Sequence, residues 1–306
     1  MRQVGEMKSI LMEVKGGLGN QLFQYSFAHF LLSKGFSRNI QYVSLSRNQH
    51  GTDLEIEALI KHCPCQRENI SGNYRDRRTL SVPNALDYLL SHFTNLRSKG
   101  GELHEKKRFR FGKKLVKSQF LKKQIIKGYF QNRNYVQTSH NQIIDEISRV
   151  FREVELSNTN LIELSGKIVI HVRGGDYFDF LETIGMLSFE YYKRAFLRVP
   201  LSARNSLKVI VVTNDSKLAK SVVHELGIDR YQIFDQTVMS AWETLYVMAN
   251  SRFFLASNST LSWWGAYLAV KNGCSVIYPN PWFKNTKFGS RTLSQSNVQC
   301  VESDFI

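Results

Sequence analysis

The chain has 306 residues, with 41 Lys and Arg against 26 Asp and Glu, a formal net charge of +15. At 42% hydrophobic and 12% aromatic, with only 5 prolines, it can bury a sizeable core, which excludes disordered, collagen-like and acidic-tail proteins. So basic a surface suits polyanionic partners, whether nucleic acid, acidic lipid or phosphorylated small molecules.

The polar residues 1–7 lack the apolar core of a signal peptide, and no apolar run reaches the roughly 18 to 20 residues of a membrane span. A cytoplasmic protein is expected, in contact with the membrane only at its surface. Residues 10–14 read as an apolar strand, Gly16-Gly17-Leu18-Gly19 as a glycine turn, and the following residues as a helix with Phe23, Phe27, Phe30 and Leu31 on one face. Residues 44–105 mix helix-like patches (54–61, 85–96) with loop composition. Cys63 and Cys65 lack the spacing of a redox or zinc pair, so they and Cys274 and Cys300 read as free thiols. A run from Lys106 to Lys127 then holds ten Lys and Arg and no acid, interleaved with apolar residues, leaving a net charge of +5 for the rest of the chain. A solvated basic face is the plain reading of this run; docking on an anionic membrane beside a lipid-linked substrate is the sharper one.

The second half is more regular. Strands are predicted at 167–173, 208–213, 231–234, 253–256 and 274–278, alternating with helices at 188–198, 216–226, 240–250 and 261–271. Ser240 and Glu243 form a capping box, and Gly227 stops the helix before it. Short apolar strands alternating with helices of about eleven residues specify an α/β fold with a parallel, doubly wound sheet. Length favours one large α/β unit or two domains of roughly 150 residues, and the change of pattern separates two halves, 1–155 and 156–306.

Ligands of such sheets lie beyond the carboxyl ends of the strands, and three strand ends carry suitable chemistry. The first presents His171 and Arg173, followed by Gly174, Gly175 and Asp176; a guanidinium there can grip a diphosphate, and glycines let it approach the main chain. The second is Thr213-Asn214-Asp215, whose carboxylate can accept from a guanine or a ribose, or simply cap the helix after it. The third is Asn258-Ser259-Thr260-Leu261-Ser262, which places hydroxyls at a helix N-terminus, an anion site. Each has a structural alternative, Trp263 and Trp264 as core among them; their convergence on one sheet edge is what describes a nucleotide-diphosphate pocket.

In order along the chain, Lys15-Gly-Gly-Leu-Gly-Asn-Gln-Leu-Phe-Gln-Tyr25, Gly128-Tyr-Phe-Gln131, His171-Val-Arg-Gly-Gly-Asp-Tyr177 and Asn258-Ser-Thr-Leu-Ser-Trp-Trp-Gly-Ala266 resemble the linked motifs of the α-1,2-fucosyltransferase family, glycosyltransferase family 11. The resemblance implies a GT-B-like enzyme of two facing Rossmann-like domains that transfers fucose from GDP-β-L-fucose, with inversion and without a metal or other cofactor, to the 2-hydroxyl of a galactose or related hexose in an oligosaccharide or lipid-linked glycan. It also implies the site residues. Arg173 would neutralise the departing diphosphate and Asp176 is the first candidate for a general base; His171, Asp215, Asn258, Ser259, Thr260 and Ser262 would line the donor site, with Gly17, Gly19 and Asn20 of the glycine loop.

The chain departs from the family at Gly174, where a second arginine is usual, and at Thr213-Asn214-Asp215, which is less acidic than the paired aspartates of relatives. The Gly174 departure keeps a second reading open, a non-catalytic or donor-altered relative that binds GDP-sugars or glycans. A basic nucleic-acid-binding protein is a third, with no helix-turn-helix, RNP or zinc signature to accompany it; no nucleic-acid partner is expected.

Overall fold

The computed structural model describes residues 10–35, 40–43, 55–61, 97–99, 102–104, 125–285 and 293–306. Most of the basic run between Lys106 and Lys127, the helix-like patch at 85–96, and Cys63 and Cys65 lie outside the described residues. The chain forms two compact units, Met1–Glu146 and Ile147–Ile306. The division falls inside a helix, His140–Ser157, where the expectation placed it at 155.

The first unit holds a five-stranded sheet: β1 (Ile10–Glu13), β2 (Ile40–Val43), β3 (Arg97–Lys99), β4 (Glu102–His104) and β5 (Ile125–Lys127), in the order β2-β1-β5-β4-β3. All neighbours are parallel except the β3–β4 edge pair. After β1 the chain turns at Gly16, φ +78°, a conformation that a glycine adopts without strain, and enters the helix Leu18–Ser33. This helix is apolar on nearly every side, so it is buried all round and not amphipathic. Phe27 stacks on Phe130, ring centroids 4.0 Å apart.

The second unit matches the expected doubly wound pattern. Its strands β6 (Ile168–Val172), β7 (Val209–Thr213), β8 (Tyr231–Phe234), β9 (Phe253–Leu255), β10 (Ser275–Asn280) and β11 (Gln299–Glu302) lie in the order β11-β10-β9-β6-β7-β8, all parallel. Strands β6 and β7 are buried at every position because helices cover both faces of the sheet. The main core packs Ile170, Val172 and Val211 against Tyr191, Ala195 and Val222 from the helices Phe189–Leu197 and Ser216–Glu225. The predicted capping box is present: Ser240 Oγ accepts from the Glu243 N–H at 3.2 Å and the Glu243 carboxylate accepts from the Ser240 N–H at 2.8 Å. Strand β11 and the short helix Leu201–Ser206 are additions that the apolar pattern did not reveal.

Candidate functional site

The strand order makes the three chosen strand ends neighbours. β9, β6 and β7 are adjacent and parallel, so the segments after them, at 256–262, 173–177 and 213–216, emerge side by side at one edge of the sheet. His171 sits one residue inside that edge. It is 3% exposed, its Nδ1 lies 3.0 Å from Ser257 Oγ, and its carbonyl accepts from the Tyr192 hydroxyl at 3.2 Å. Burial, with the Arg173 charge adding to it, lowers its pKa to about 3, so the imidazole is neutral at physiological pH. His171 therefore ties β6 to the segment after β9.

Arg173 carries the charge. Its Nη2 donates to both oxygens of Asp176, at 2.7 and 2.9 Å, and its guanidinium lies over the Tyr177 ring, 5.3 Å from the centroid. The Nε of Arg173 is buried and has no acceptor among the described residues. A buried donor without a partner requires an explanation, and a ligand oxygen at the sheet edge supplies one. Tyr177 is itself anchored, its hydroxyl donating to the Asn258 carbonyl at 3.1 Å; burial pushes the pKa of its phenol upward, so it remains a donor. The motif after β6 and the motif after β9 are thus joined by two contacts, His171 with Ser257 and Tyr177 with Asn258.

Of the residues after β7, Asp215 takes the capping role. Its Oδ1 accepts from the Leu218 N–H at 3.0 Å at the head of the helix Ser216–Glu225. Its neighbour Asn214 faces the first strand end. The Asn214 amide accepts from the Gly174 N–H at 2.9 Å, donates to the Gly174 carbonyl at 3.0 Å, and reaches Asp176 Oδ1 at 3.3 Å. Gly174 is packed tightly: a Cβ there would stand 2.8 Å from Leu218 Cδ2, 2.9 Å from Asp215 Oδ2 and 3.0 Å from Asp215 Cβ. A larger residue at 174 therefore requires the Asp215 cap to move. We expect Gly174→Ala to cost ~1–3 kcal/mol in chemical denaturation, as overpacking does, and Gly174→Arg to cost at least as much; unchanged stability of both variants would show that the space at position 174 is open.

At the third strand end, Ser259 Oγ accepts from the Ser262 N–H at 3.2 Å and Ser262 Oγ accepts from the Ser257 N–H at 2.8 Å. Ser259 thus caps the helix Thr260–Lys271, while the N–H groups of Thr260 and Leu261 lie outside its internal ladder, as the first groups of any helix do. Asn258, 2% exposed, donates through Nδ2 to the Gly185 carbonyl at 2.9 Å, with the Trp282 and Ile184 carbonyls at 3.3 and 3.4 Å. Its side chain is spent on holding loops. Thr260 alone of these four polar residues is partly exposed at the helix start. Trp263 and Trp264 are fully buried core.

The glycine loop of the first unit is held by glutamines. Gln21 donates to the Gly16 carbonyl at 2.7 Å and accepts from the Ile56 N–H at 3.1 Å. Gln24 accepts from the Lys15 N–H at 3.1 Å and donates to the Gly128 carbonyl at 3.0 Å. Asn20 Oδ1 accepts from Gln131 at 2.9 Å. Gly17 is the N-cap, Gly19 is buried in the first turn, and a Cβ on Gly16 would meet Asn20 Nδ2 at 2.8 Å. The first two motifs of the sequence are one hydrogen-bonded assembly within this unit.

Sequence reasoning passed over four contributors to the second unit's site: Asn214, Ser257, Tyr191, whose hydroxyl donates to the Ala256 carbonyl, and Tyr192. Consecutive tyrosines on an apolar helix face read as core, which they also are. Among the described residues no three His, Cys, Asp or Glu side chains are grouped to hold a metal ion, and no helix is long and apolar enough to cross a membrane.

A family model described as glycosyl transferase family 11 matches residues 7–297. Among curated proteins, an alpha-1,2-colitosyltransferase from Escherichia coli is 24% identical over 299 residues, covering 93% of this chain and 96% of the relative. The O-antigen biosynthesis glycosyltransferase WbnK from Escherichia coli is 22% identical over 302 residues, covering 92% and 97%. Among solved structures, the E. coli heptosyltransferase WaaC with ADP aligns over 96% of this chain and 93% of its own, at 10% identity and a TM-score of 0.46.

Proposed function

Since the chain belongs to glycosyl transferase family 11, we propose that it transfers L-fucose from GDP-β-L-fucose to the 2-hydroxyl of a galactose or related hexose in an oligosaccharide or lipid-linked glycan, with inversion and without a metal ion. That it is a glycosyltransferase follows from the family and from both curated relatives. The α-1,2 linkage in the name of the first relative supports attack by a 2-hydroxyl, and the O-antigen role in the name of the second supports a surface-polysaccharide acceptor.

One observation supports the donor most directly: Arg173, whose buried Nε has no partner among the described residues, stands at the same sheet edge as the N-terminus of the helix Thr260–Lys271. A guanidinium and a helix N-terminus together suit a diphosphate. In the proposed step the acceptor oxygen bonds to C1 of the sugar as the bond from C1 to the diphosphate oxygen breaks on the opposite side. GDP leaves with the negative charge, and the acceptor proton passes to a base or to water. Arg173 and the helix start stabilise charge that grows on the leaving diphosphate, where preorganised donors contribute most. Asp176 is engaged with Arg173, so service as a general base would require it to leave that partner; holding Arg173 in place is the role its contacts favour.

Incubation with GDP-fucose and a β-galactoside is expected to give an α-fucoside, identified by its anomeric proton coupling, at equal rates with and without EDTA. GDP should bind in calorimetric titration. Neither binding nor transfer would overturn the proposal. A second reading, colitose as the transferred sugar, is favoured by the first relative's name; GDP-colitose used in preference to GDP-fucose would establish it.

A further inference from the structure

We propose that Asn214 is a positioning residue for the transfer reaction, acting through Gly174 and Asp176 to aim Arg173. The inference rests on the diphosphate role of Arg173 proposed above. Asn214 enters it by geometry, because its amide pairs with both polar groups of one residue of the adjacent strand exit: Oδ1 accepts from the Gly174 N–H at 2.9 Å, and Nδ2 donates to the Gly174 carbonyl at 3.0 Å. Nδ2 also lies 3.3 Å from Asp176 Oδ1. The amide orientation is fixed by chemistry, since only the oxygen can receive an N–H and only the nitrogen can serve a carbonyl and a carboxylate.

The backbone it grips needs such support. Gly174 and Gly175 separate Arg173 from Asp176, and two glycines together have more freedom to lose than any other pair. Gly175 is held at φ +60°, and a Cβ there would stand 2.8 Å from Asn214 Nδ2. The glycines admit the asparagine, and the asparagine immobilises the glycines. Asp176, thus fixed, presents both carboxylate oxygens to Arg173 Nη2, while the Tyr177 ring supports the guanidinium from another side. The result is a relay from β7 to β6 that sets the position of Arg173 Nε, which has no partner among the described residues. Asp215, which the sequence favoured in this segment, is instead occupied by its helix cap.

A double-mutant cycle tests the relay, with GDP as the probe. Calorimetric titration is carried out on the unaltered protein, Asn214→Ala, Arg173→Ala and the double variant, with thermal melting of each. If Asn214 acts through Arg173, Asn214→Ala weakens GDP binding about tenfold or more in the presence of Arg173 and less than about twofold in its absence. A merely structural role would give equal losses in the two backgrounds, and that result, or undiminished binding by Asn214→Ala, overturns the inference. Asn214→Asp, of nearly equal size, keeps the acceptor for the Gly174 N–H but loses the donors and sets a carboxylate beside Asp176. It serves the same cycle should the alanine variant fail to fold. If the unaltered protein binds no GDP, the functional proposal falls and this inference with it; binding with additive losses overturns this inference alone.

Discussion

Replacing Arg173 by alanine is expected to lower the rate of glycosyl transfer by about 10²- to 10³-fold, the usual consequence of removing a preorganised group from developing negative charge, and to leave the fold intact. The two halves of that expectation have separate grounds. The side chains of Arg173 and Asp176 are 24% and 45% exposed, and an ion pair so open to water contributes no more than ~1 kcal/mol to stability. The melting temperature should therefore move by a few degrees at most. The same guanidinium nevertheless provides a buried donor that has no acceptor among the described residues, an arrangement that makes sense when a ligand supplies the oxygen. Arg173→Lys should recover little of the lost rate, because an ammonium restores the charge and not the planar pair of donors. Initial rates, GDP titration and melting curves of the two variants decide the matter. An alanine variant within threefold of the parent in turnover would remove Arg173 from the diphosphate site.

The second large effect concerns pH and stability. His171 is held near a pKa of about 3 in the folded protein, against an ordinary value of 6.5. The unfolded chain accordingly takes up a proton in a range where the folded protein does not. The stabilisation is complete above about 6.5 and is lost as pH falls toward 3, with a slope approaching ~1.4 kcal/mol per pH unit from this single group. Urea denaturation at pH 7, 5.5 and 4.5 should show stability falling along that slope. His171→Asn removes the titrating group, so its stability should fall less between pH 6 and 4, even if it is the less stable protein at pH 7. Parallel pH dependences for parent and variant would show that the buried imidazole does not titrate as described.

Much of the second unit was legible because its elements are set by local pattern. Runs such as Ile168–Val172 and Val209–Thr213 are apolar at nearly every position, which specifies strands covered on both faces. Capping residues announced the helix starts: Ser240, Ser188, Asp215 and Ser259 all cap as their types suggest. The long helix His140–Ser157 was not identified, although Ile143, Ile144, Ile147 and Val150 mark its buried face; the charged residues between them lower its average apolarity, and periodicity has to be sought there where composition is silent. The site was legible as a location, since adjacent parallel strands bring their exits together whatever the side chains do. It was less legible as a division of labour. The letters Thr213-Asn214-Asp215 allow the aspartate its helix cap, but nothing in them shows that the asparagine would turn to a peptide group forty residues earlier in the chain. Contacts of that kind are settled by backbone positions, which a one-dimensional pattern does not contain. The same holds for Gln21 and Gln24, polar residues in an apolar helix, whose purpose emerges only when the carbonyls of Gly16 and Gly128 are beside them.

The loop that follows the Arg173 motif is fastened at two places far apart in the sequence. Asn258 donates to the Gly185 carbonyl, and the last residues of the chain bind the neighbouring positions: Ser188 N–H donates to the Asp304 carbonyl, Ile306 N–H donates to the Met186 carbonyl, and Leu187 bridges to Phe305. Phe305 also occupies the space beside Gly185, where a Cβ would stand 2.5 Å from its ring. Protein synthesis proceeds from the amino end, so Arg173, Asn214 and Ser259 all leave the ribosome before the segment that secures this loop. The loop beside this edge therefore lacks these contacts until residues 304–306 have been made, so its closure follows synthesis of the strand exits and cannot precede it.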